Sequence, residues 1–132
     1  MKLYRAMTPA SDGLPQVGRS ARLLGIRTPN ETTVNPDVTA STPNEIIQPG
    51  TGGMSEAPND PTNLPPFRKP PEFGGTGKDP VWEIDTSVLG PDLQFRQDSA
   101  NHGLIEPARA MMLSEFEKAI EATRSKWVRV TI

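Results

Sequence analysis

Two segments of the chain carry residue types that could act on a nucleotide. Residues 49–55 place Ser55 on a glycine-rich turn, and residues 102–108 contain Glu106. Glycine lets a backbone approach a phosphate or a ribose closely. A carboxylate can bind a ribose hydroxyl, or stabilise the cationic sugar that forms as a glycosidic bond loosens. Together with Arg5 near the amino end, these groups suit recognition of NAD and cleavage of its glycosidic bond.

Each of these residues, taken alone, has a simpler explanation. The turn lacks the Gly-Lys-Ser/Thr ending of a Walker A loop and the GxGxxG spacing, so it is typical of an ordinary hairpin. Glu106 could be a solvated glutamate, and Arg5 and Arg96 could each cover the polar face of a strand. His102 is the single histidine, which excludes a multi-histidine metal site. It could lie in a surface turn or form a hydrogen bond with Glu106.

Two further motifs have open interpretations. Residues 74–80 resemble a phosphate loop, but a strand pattern follows where a helix is required, which favours a connector. Lys78 and Asp79 remain candidates to face a ligand. The proline-rich residues 58–71 exclude a regular helix or a central strand. Within them, residues 65–70 could bind a partner in an extended conformation.

Length and composition indicate one small domain over residues 1–132. The chain has 15 prolines, 11 glycines, no cysteine and a net charge of −2. A chain of this length has room for one core, and the abundant proline and glycine predict many loops. The lack of cysteine excludes disulfides and thiolate zinc sites. The near-neutral charge argues against a general nucleic-acid binder.

Alternating apolar and polar residues predict several short strands. They are expected at 3–7, 80–84, 92–97 and around 104–105, and Gly90-Pro91 marks a turn between two of them. Brief pairing is expected at 45–47 and 54–57. Residues 20–26 could form either a strand or a single helical turn. Residues 28–44 predict a flexible surface loop in which only Val34 and Val38 are expected to be buried. These strands would have to position the candidate site.

One helix is predicted near the carboxyl end. Ser114 and Glu117 form a capping box that would start it. An apolar stripe at helical spacing would pack on the sheet, and it comprises Phe116, Ala119, Ile120, Thr123 and Trp127. Beyond it, the alternation of Val128, Val130 and Ile132 permits a terminal strand.

The chain resembles the family of bacterial toxin domains named after the type VI secretion toxin Tse-two, grouped with the ADP-ribosyltransferase-like toxins. The resemblance runs in order along nearly the whole chain. Its segments are residues 3–6, 52–55, the proline-rich stretch to 71, 75–82, 93–98 and 102–108. It implies an α+β fold in which two small antiparallel sheets surround an NAD-binding cleft.

The resemblance also implies roles for individual residues. Arg5 would hold the NAD phosphate or ribose, Ser55 would order the site, and Glu106 would contact the nicotinamide ribose or activate the acceptor. His102, in the same segment as Glu106, is a further catalytic candidate. The candidate NAD-binding residues are Tyr4, Arg5, Gly53, Met54, Ser55 and Arg96.

The implied function is an intracellular bacterial toxin that breaks the nicotinamide–ribose bond of NAD, without a metal, and inhibits growth. It would transfer ADP-ribose to a macromolecule or to water. Its expected partner is an antitoxin or immunity protein that covers the cleft. Its expected location is the cytoplasm of the producer or, after injection, of a target cell, because no apolar run suits a signal peptide or a membrane span.

Two other functions remain open from the sequence. One is a non-catalytic interaction module that uses the proline-rich loop. The other is a toxin that cuts RNA, with His102, Glu106 and Arg96 as acid, base and phosphate clamp.

Overall fold

The fold is organised around a six-stranded antiparallel sheet, seen in a computed structural model that describes residues 1–131. The strands are β1 (Lys2–Ala6), β2 (Ile46–Ile47), β3 (Met54–Pro58), β4 (Val81–Asp85), β5 (Leu93–Gln97), β6 (Gly103–Pro107), β7 (Met111–Met112) and β8 (Val128–Arg129). The main sheet has the order β5-β6-β3-β1-β4-β8, and β2 pairs with β7 in a second, two-stranded sheet. The helix is α1 (Leu113–Glu121). This arrangement confirms the predicted α+β class with two antiparallel sheets and one main helix.

The two faces of the main sheet bury separate apolar clusters. Helix α1 packs against one face through Phe116 and Ile120, which are buried together with Leu3 and Ile105 in the main core. The opposite face carries a smaller cluster, formed by Tyr4, Ala57, Leu64 and Val81. Strand β1 is therefore covered on both faces, and it lies inside the sheet as the fourth of six strands. Its side chains from Leu3 to Ala6 are buried.

The helix begins earlier than its sequence signature predicts. It starts at Leu113 with Met112 as N-cap, and the carboxylate of Glu115, rather than that of Glu117, accepts a hydrogen bond from the Met112 N–H at 3.2 Å. The N–H groups of Leu113 and Ser114 donate to the carbonyls of Glu45 and Pro43. Because a neighbouring loop satisfies these donors, the serine is not needed as a cap.

Another local prediction is wrong. Residues 20–26 form neither a strand nor a helical turn; they make an irregular loop whose carbonyls accept hydrogen bonds from the side chain of Arg5, as described below.

The turn at Gly90-Pro91 lies between β4 and β5 as predicted, with Gly90 at a φ of 89°. A single-turn 3₁₀ helix at Thr86–Val88 begins this connection, which leads from β4 to a strand on the other side of β1.

Several other predictions are confirmed. The pairing of β2 with β7 and the strand at β3 fall where brief pairing was expected. The expected burial of Val38 in the 28–44 loop is confirmed, at 2% exposure, whereas that of Val34 is wrong, because this side chain is 71% exposed. The terminal strand is present as β8, although the predicted continuation to Ile132 lies outside the described residues.

The packing of α1 predicts a large difference between two phenylalanines. Phe116→Ala should lower the free energy of unfolding by about 3–5 kcal/mol, because it empties a fully buried site between helix and sheet. Phe67→Ala, at a side chain that is 64% exposed, should change it by no more than about 0.5 kcal/mol. Urea denaturation followed by circular dichroism measures both, and equal losses would contradict this packing.

Candidate functional site

The candidate site lies where strands β1 and β3 separate. These strands pair only through Leu3 with Pro58 and Tyr4 with Ala57. The beginning of β3 pairs instead with β6, from Met54 to Glu56. Beyond Tyr4, β1 therefore has no partner on this side, and a cleft opens next to Arg5.

The guanidinium of Arg5 occupies this gap. Its Nη1 donates to the carbonyl of Ser55 at 2.8 Å, across the separation, and its Nε and Nη2 donate to that of Leu23 at 3.2 and 2.9 Å. Nη2 also reaches the carbonyls of Gly25 and Ser20, at 3.2 and 3.4 Å. The side chain is only 5% exposed, and burial lowers the pKa of Arg5 while the nearby Glu56 opposes that shift. Arg5 thus ties the 20–25 loop to β3 and forms the base of the cleft.

The cleft has a volume of about 350 Å³ and brings together three of the predicted site residues. Its walls are formed by Arg5, Ala6, Ala21, Arg27, Asp37, Ser55, Glu56, Ala57, Leu64, Pro65, Phe67, Arg68, Asn101 and His102. Arg5, Ser55 and His102 are among them. The side-chain hydroxyl of Ser55 has no intramolecular hydrogen bond among residues 1–131, so it is available to a ligand.

Glu106 lies in a separate buried cluster. Its Oε1 accepts from Arg96 Nε at 2.6 Å, and its Oε2 accepts from Gln94 Nε2 at 2.8 Å and from the N–H of Gly50 at 3.2 Å. The glutamate is 1% exposed, which excludes the solvated side chain that the sequence allowed. The two segments that carry Ser55 and Glu106 therefore meet, through the pairing of β3 with β6 and through this bond from the glycine-rich turn.

His102 does not bond Glu106, as the sequence had suggested. Its Nδ1 lies 2.8 Å from Asp98 Oδ1, in the turn that joins β5 to β6. The imidazole is partly exposed, at the edge of the cleft. The Asp98 carboxylate therefore orients the ring and leaves Nε2 toward possible ligands.

The other candidate NAD-binding residues do not line the cleft. Tyr4 belongs to the small apolar cluster and Met54 to the main core. Gly53 has a steric role, because a Cβ at this position would collide with the carbonyl of Ile105 on β6. Arg96 is engaged by Glu106.

Glu56 is a cleft residue that the sequence analysis did not select. It is 2% exposed, and within residues 1–131 neither carboxylate oxygen has a hydrogen-bond partner. Burial raises the pKa of Glu56 well above its usual range, and the positive charge of Arg5 only partly opposes this. Burial therefore favours the uncharged form of this carboxyl. The sequence did contain a signal for the burial of Glu56, because alternation along the predicted strand places it on the same face as Met54.

The remaining charges make the cleft basic. Arg27 pairs with Asp37, with Nη2 to Oδ1 at 3.3 Å, and Arg68 adds a further cation. Three arginines and two carboxyl groups line the cleft in a chain whose net charge is −2, and burial favours the uncharged form of one of these carboxyls, Glu56. Such a cleft suits an anionic ligand.

A family model places these features in context. The model described as Tse2 ADP-ribosyltransferase toxin matches residues 2–129. The chain belongs to this toxin family. No curated protein and no solved structure matches it significantly. The match confirms the resemblance drawn from the sequence and the ADP-ribosyltransferase-like fold, and the family implies NAD as the substrate.

Residues 1–131 contain neither of two features that would mark a metal site or a membrane-spanning helix. Over this range there is no group of three or more histidine, cysteine, aspartate or glutamate side chains placed to hold a metal ion. The same range contains no helix that is long and apolar enough to cross a membrane.

The burial of Glu56 predicts a pH-dependent stability. A carboxyl whose pKa is raised in the folded state stabilises the fold fully below its unfolded pKa of about 4.5, and this contribution is lost as the pH rises toward the folded pKa. Glu56→Gln cannot ionise, so its free energy of unfolding should rise relative to the wild type between pH 5 and pH 8.5. The gain should be on the order of 1.4 kcal/mol for each unit by which the pKa is raised.

Urea denaturation at the two pH values measures this difference. The exposed Glu121→Gln provides a matched control that should follow the wild type at both pH values. Parallel pH curves for Glu56→Gln and the wild type would contradict a neutral buried carboxyl.

Proposed function

We propose that the cleft binds NAD and breaks the bond between the nicotinamide nitrogen and C1′ of the ribose, transferring ADP-ribose to a macromolecule or to water. The observation that carries this proposal is the basic cleft at the separation of β1 and β3, with Arg5 at its base and the free hydroxyl of Ser55 on its wall. Membership of an ADP-ribosyltransferase toxin family supports the same reaction.

The proposed reaction is dissociative. The C1′–N bond breaks, its electron pair leaves with neutral nicotinamide, and positive charge develops on the ribose as an oxocarbenium-like state. A nucleophile then adds at C1′ and loses its proton. The protein accelerates this sequence by holding the pyrophosphate and ribose, and by presenting oriented dipoles to the charge as it develops.

Ser55 is proposed to hydrogen-bond the nicotinamide ribose. Its main-chain carbonyl is fixed by Arg5 and its strand by pairing of Ser55 with Leu104, so the hydroxyl is held in place. A preorganised donor of this kind costs little reorganisation when the bond breaks.

His102 is proposed to accept the proton that the nucleophile loses. Neutral imidazole with Nδ1–H donating to Asp98 has a free lone pair on Nε2, which is the arrangement of a general base.

Glu106 is proposed to act indirectly as a positioning residue. Its bonds to Arg96 and to the Gly50 N–H join β5, β6 and the glycine-rich turn that leads into β3. It would fix the strand that carries Ser55, and not contact the sugar.

The family also implies an immunity protein in the producing cell. We propose that this partner covers the cleft. We further propose that the protein acts in the cytoplasm, where NAD is available, after injection into a target cell or on release from an antitoxin.

Incubation of the purified protein with NAD, followed by measurement of free nicotinamide, tests the reaction directly. Release by the wild type is expected either with water alone or on addition of cell extract that supplies an acceptor. The absence of release under both conditions would overturn the proposal.

Ser55→Ala should reduce kcat/KM for nicotinamide release by about tenfold, the effect of losing one hydrogen bond to the ribose. Its thermal midpoint should stay unchanged, because the hydroxyl makes no intramolecular hydrogen bond in the described part of the chain. Ser87→Ala, at an exposed serine in the 3₁₀ turn after β4, removes the same hydroxyl outside the cleft and should have no effect. Equal activities for the two variants would exclude Ser55 from the site.

A further inference from the structure

Arg68 is a cation of the cleft whose guanidinium has neither an anionic partner nor a hydrogen bond within residues 1–131. Its close contact is the ring of Phe67, whose centroid lies 5.2 Å from Cζ. Partial burial lowers the pKa of Arg68 and the neighbouring Arg27 and Arg22 lower it further, while Asp79 and Asp37 oppose the shift from a distance. A half-buried cation beside other cations is an unfavourable arrangement unless a ligand supplies the missing negative charge.

The two nearby carboxylates are already engaged. Asp79 accepts from Arg22 Nε at 2.7 Å and Nη2 at 3.0 Å, and from Thr8 Oγ1 at 2.9 Å. Asp37 accepts from the N–H of Arg27 at 2.6 Å as well as from its guanidinium. Neither carboxylate neutralises Arg68, which is therefore left for an anion from outside the chain.

The turn that carries Arg68 is held firmly. The N–H groups of Arg68 and Lys69 donate to the carbonyl of Pro65, at 2.9 and 3.1 Å, and the N–H of Gly77 donates to the carbonyl of Lys69 at 2.8 Å. A Cβ on Gly77 would lie only 2.7 Å from the carbonyl of Arg68, and one on Gly75 would collide with that of Lys69. The glycine-rich residues 74–78 thus serve as a close-fitting support for the proline-rich turn.

This support fixes the main chain that carries Arg68 and Phe67, and both side chains line the cleft. The aromatic ring packs against the guanidinium without using any of its N–H donors. The donors stay free for an acceptor that can take two of them at once, which is the geometry of a phosphate.

We propose that Arg68 binds the pyrophosphate of NAD, so that the proline-rich turn forms the phosphate-binding wall of the cleft. This assignment rests on the proposed function. It gives Arg5 and Arg68 different roles: Arg5 maintains the shape of the cleft through carbonyl contacts, whereas Arg68 supplies the charge that recognises the ligand. Residues 65–70 then act within the site and not as a docking peptide.

The test compares Arg68→Gln with the wild type by calorimetric titration of ADP-ribose, which contains the pyrophosphate and is not hydrolysed in the proposed reaction. The substitution should weaken binding by about ten- to hundredfold, as expected for loss of a charge-assisted contact. It should also reduce the dependence of affinity on salt, because one phosphate contact is lost. In the nicotinamide-release assay KM for NAD should rise by a similar factor, with kcat within about twofold.

Lys69→Gln is the matched control, since it removes a neighbouring charge whose Nζ donates to the carbonyl of Thr62, outside the lining of the cleft. It should bind ADP-ribose as the wild type does. If wild type and Arg68→Gln bind within twofold of each other, or if affinity falls without a change in salt dependence, the assignment of Arg68 is wrong while the proposed function stands. If the wild type neither binds ADP-ribose nor releases nicotinamide, both fail.

Discussion

The hydrogen bonds between the Arg5 guanidinium and main-chain carbonyls are the interaction on which the rest of the site depends. A sheet edge that opens in the interior leaves carbonyl groups without N–H partners, and each such group is costly when buried. The single side chain of Arg5 donates hydrogen bonds both to the Ser55 carbonyl on β3 and to carbonyls of the 20–25 loop. The cleft can therefore form within a continuous sheet. Hydrogen bonds from the Arg5 side chain, in place of strand pairing, join β1 to the opposite wall of the cleft.

The electrostatics of the cleft follow from this arrangement. Arg5 directs its N–H groups to neutral carbonyls, so its charge is not cancelled by an adjacent carboxylate in contact with it. Glu56 lies close enough to interact with that charge but without a hydrogen bond, and burial favours its uncharged form. The lining of the cleft is therefore rich in cations in a protein that is slightly acidic overall. The negative pyrophosphate of a dinucleotide suits such a lining.

The strands and the helix were largely predictable from sequence, whereas the site was predictable only in part. Strands β1, β4, β5 and β6 were predicted from short runs of apolar residues, which in β1, β4 and β5 alternate with polar ones. Arg5 and Ser55 were found through their place in motifs. Arg68 was interpreted as part of a proline-rich ligand, and Glu56 was not selected. Both residues stand out in the structure because their ionisable groups have no hydrogen-bond partner within residues 1–131. Such information resides in contacts between segments far apart in the chain, which no local pattern encodes.

The placement of Glu106 shows the same limit. Its strand was predicted, but the donors that surround its carboxylate come from β5 and from the glycine-rich turn.

The short pairing between β1 and β3 has a mechanical consequence. Two residue pairs join the half of the sheet formed by β5, β6 and β3 to the half formed by β1, β4 and β8, together with the bonds from Arg5 to the Ser55 carbonyl and from the Asn59 N–H to the Lys2 carbonyl. The pairing of β4 with β8 is equally short but holds only an end strand. We therefore expect relative movement of the two halves to concentrate at the seam between β1 and β3. A molecule bound across the seam would act as a clamp. A dinucleotide or a segment of a partner protein that fills the cleft would therefore restrict the relative movement of the two halves and make the whole domain more rigid.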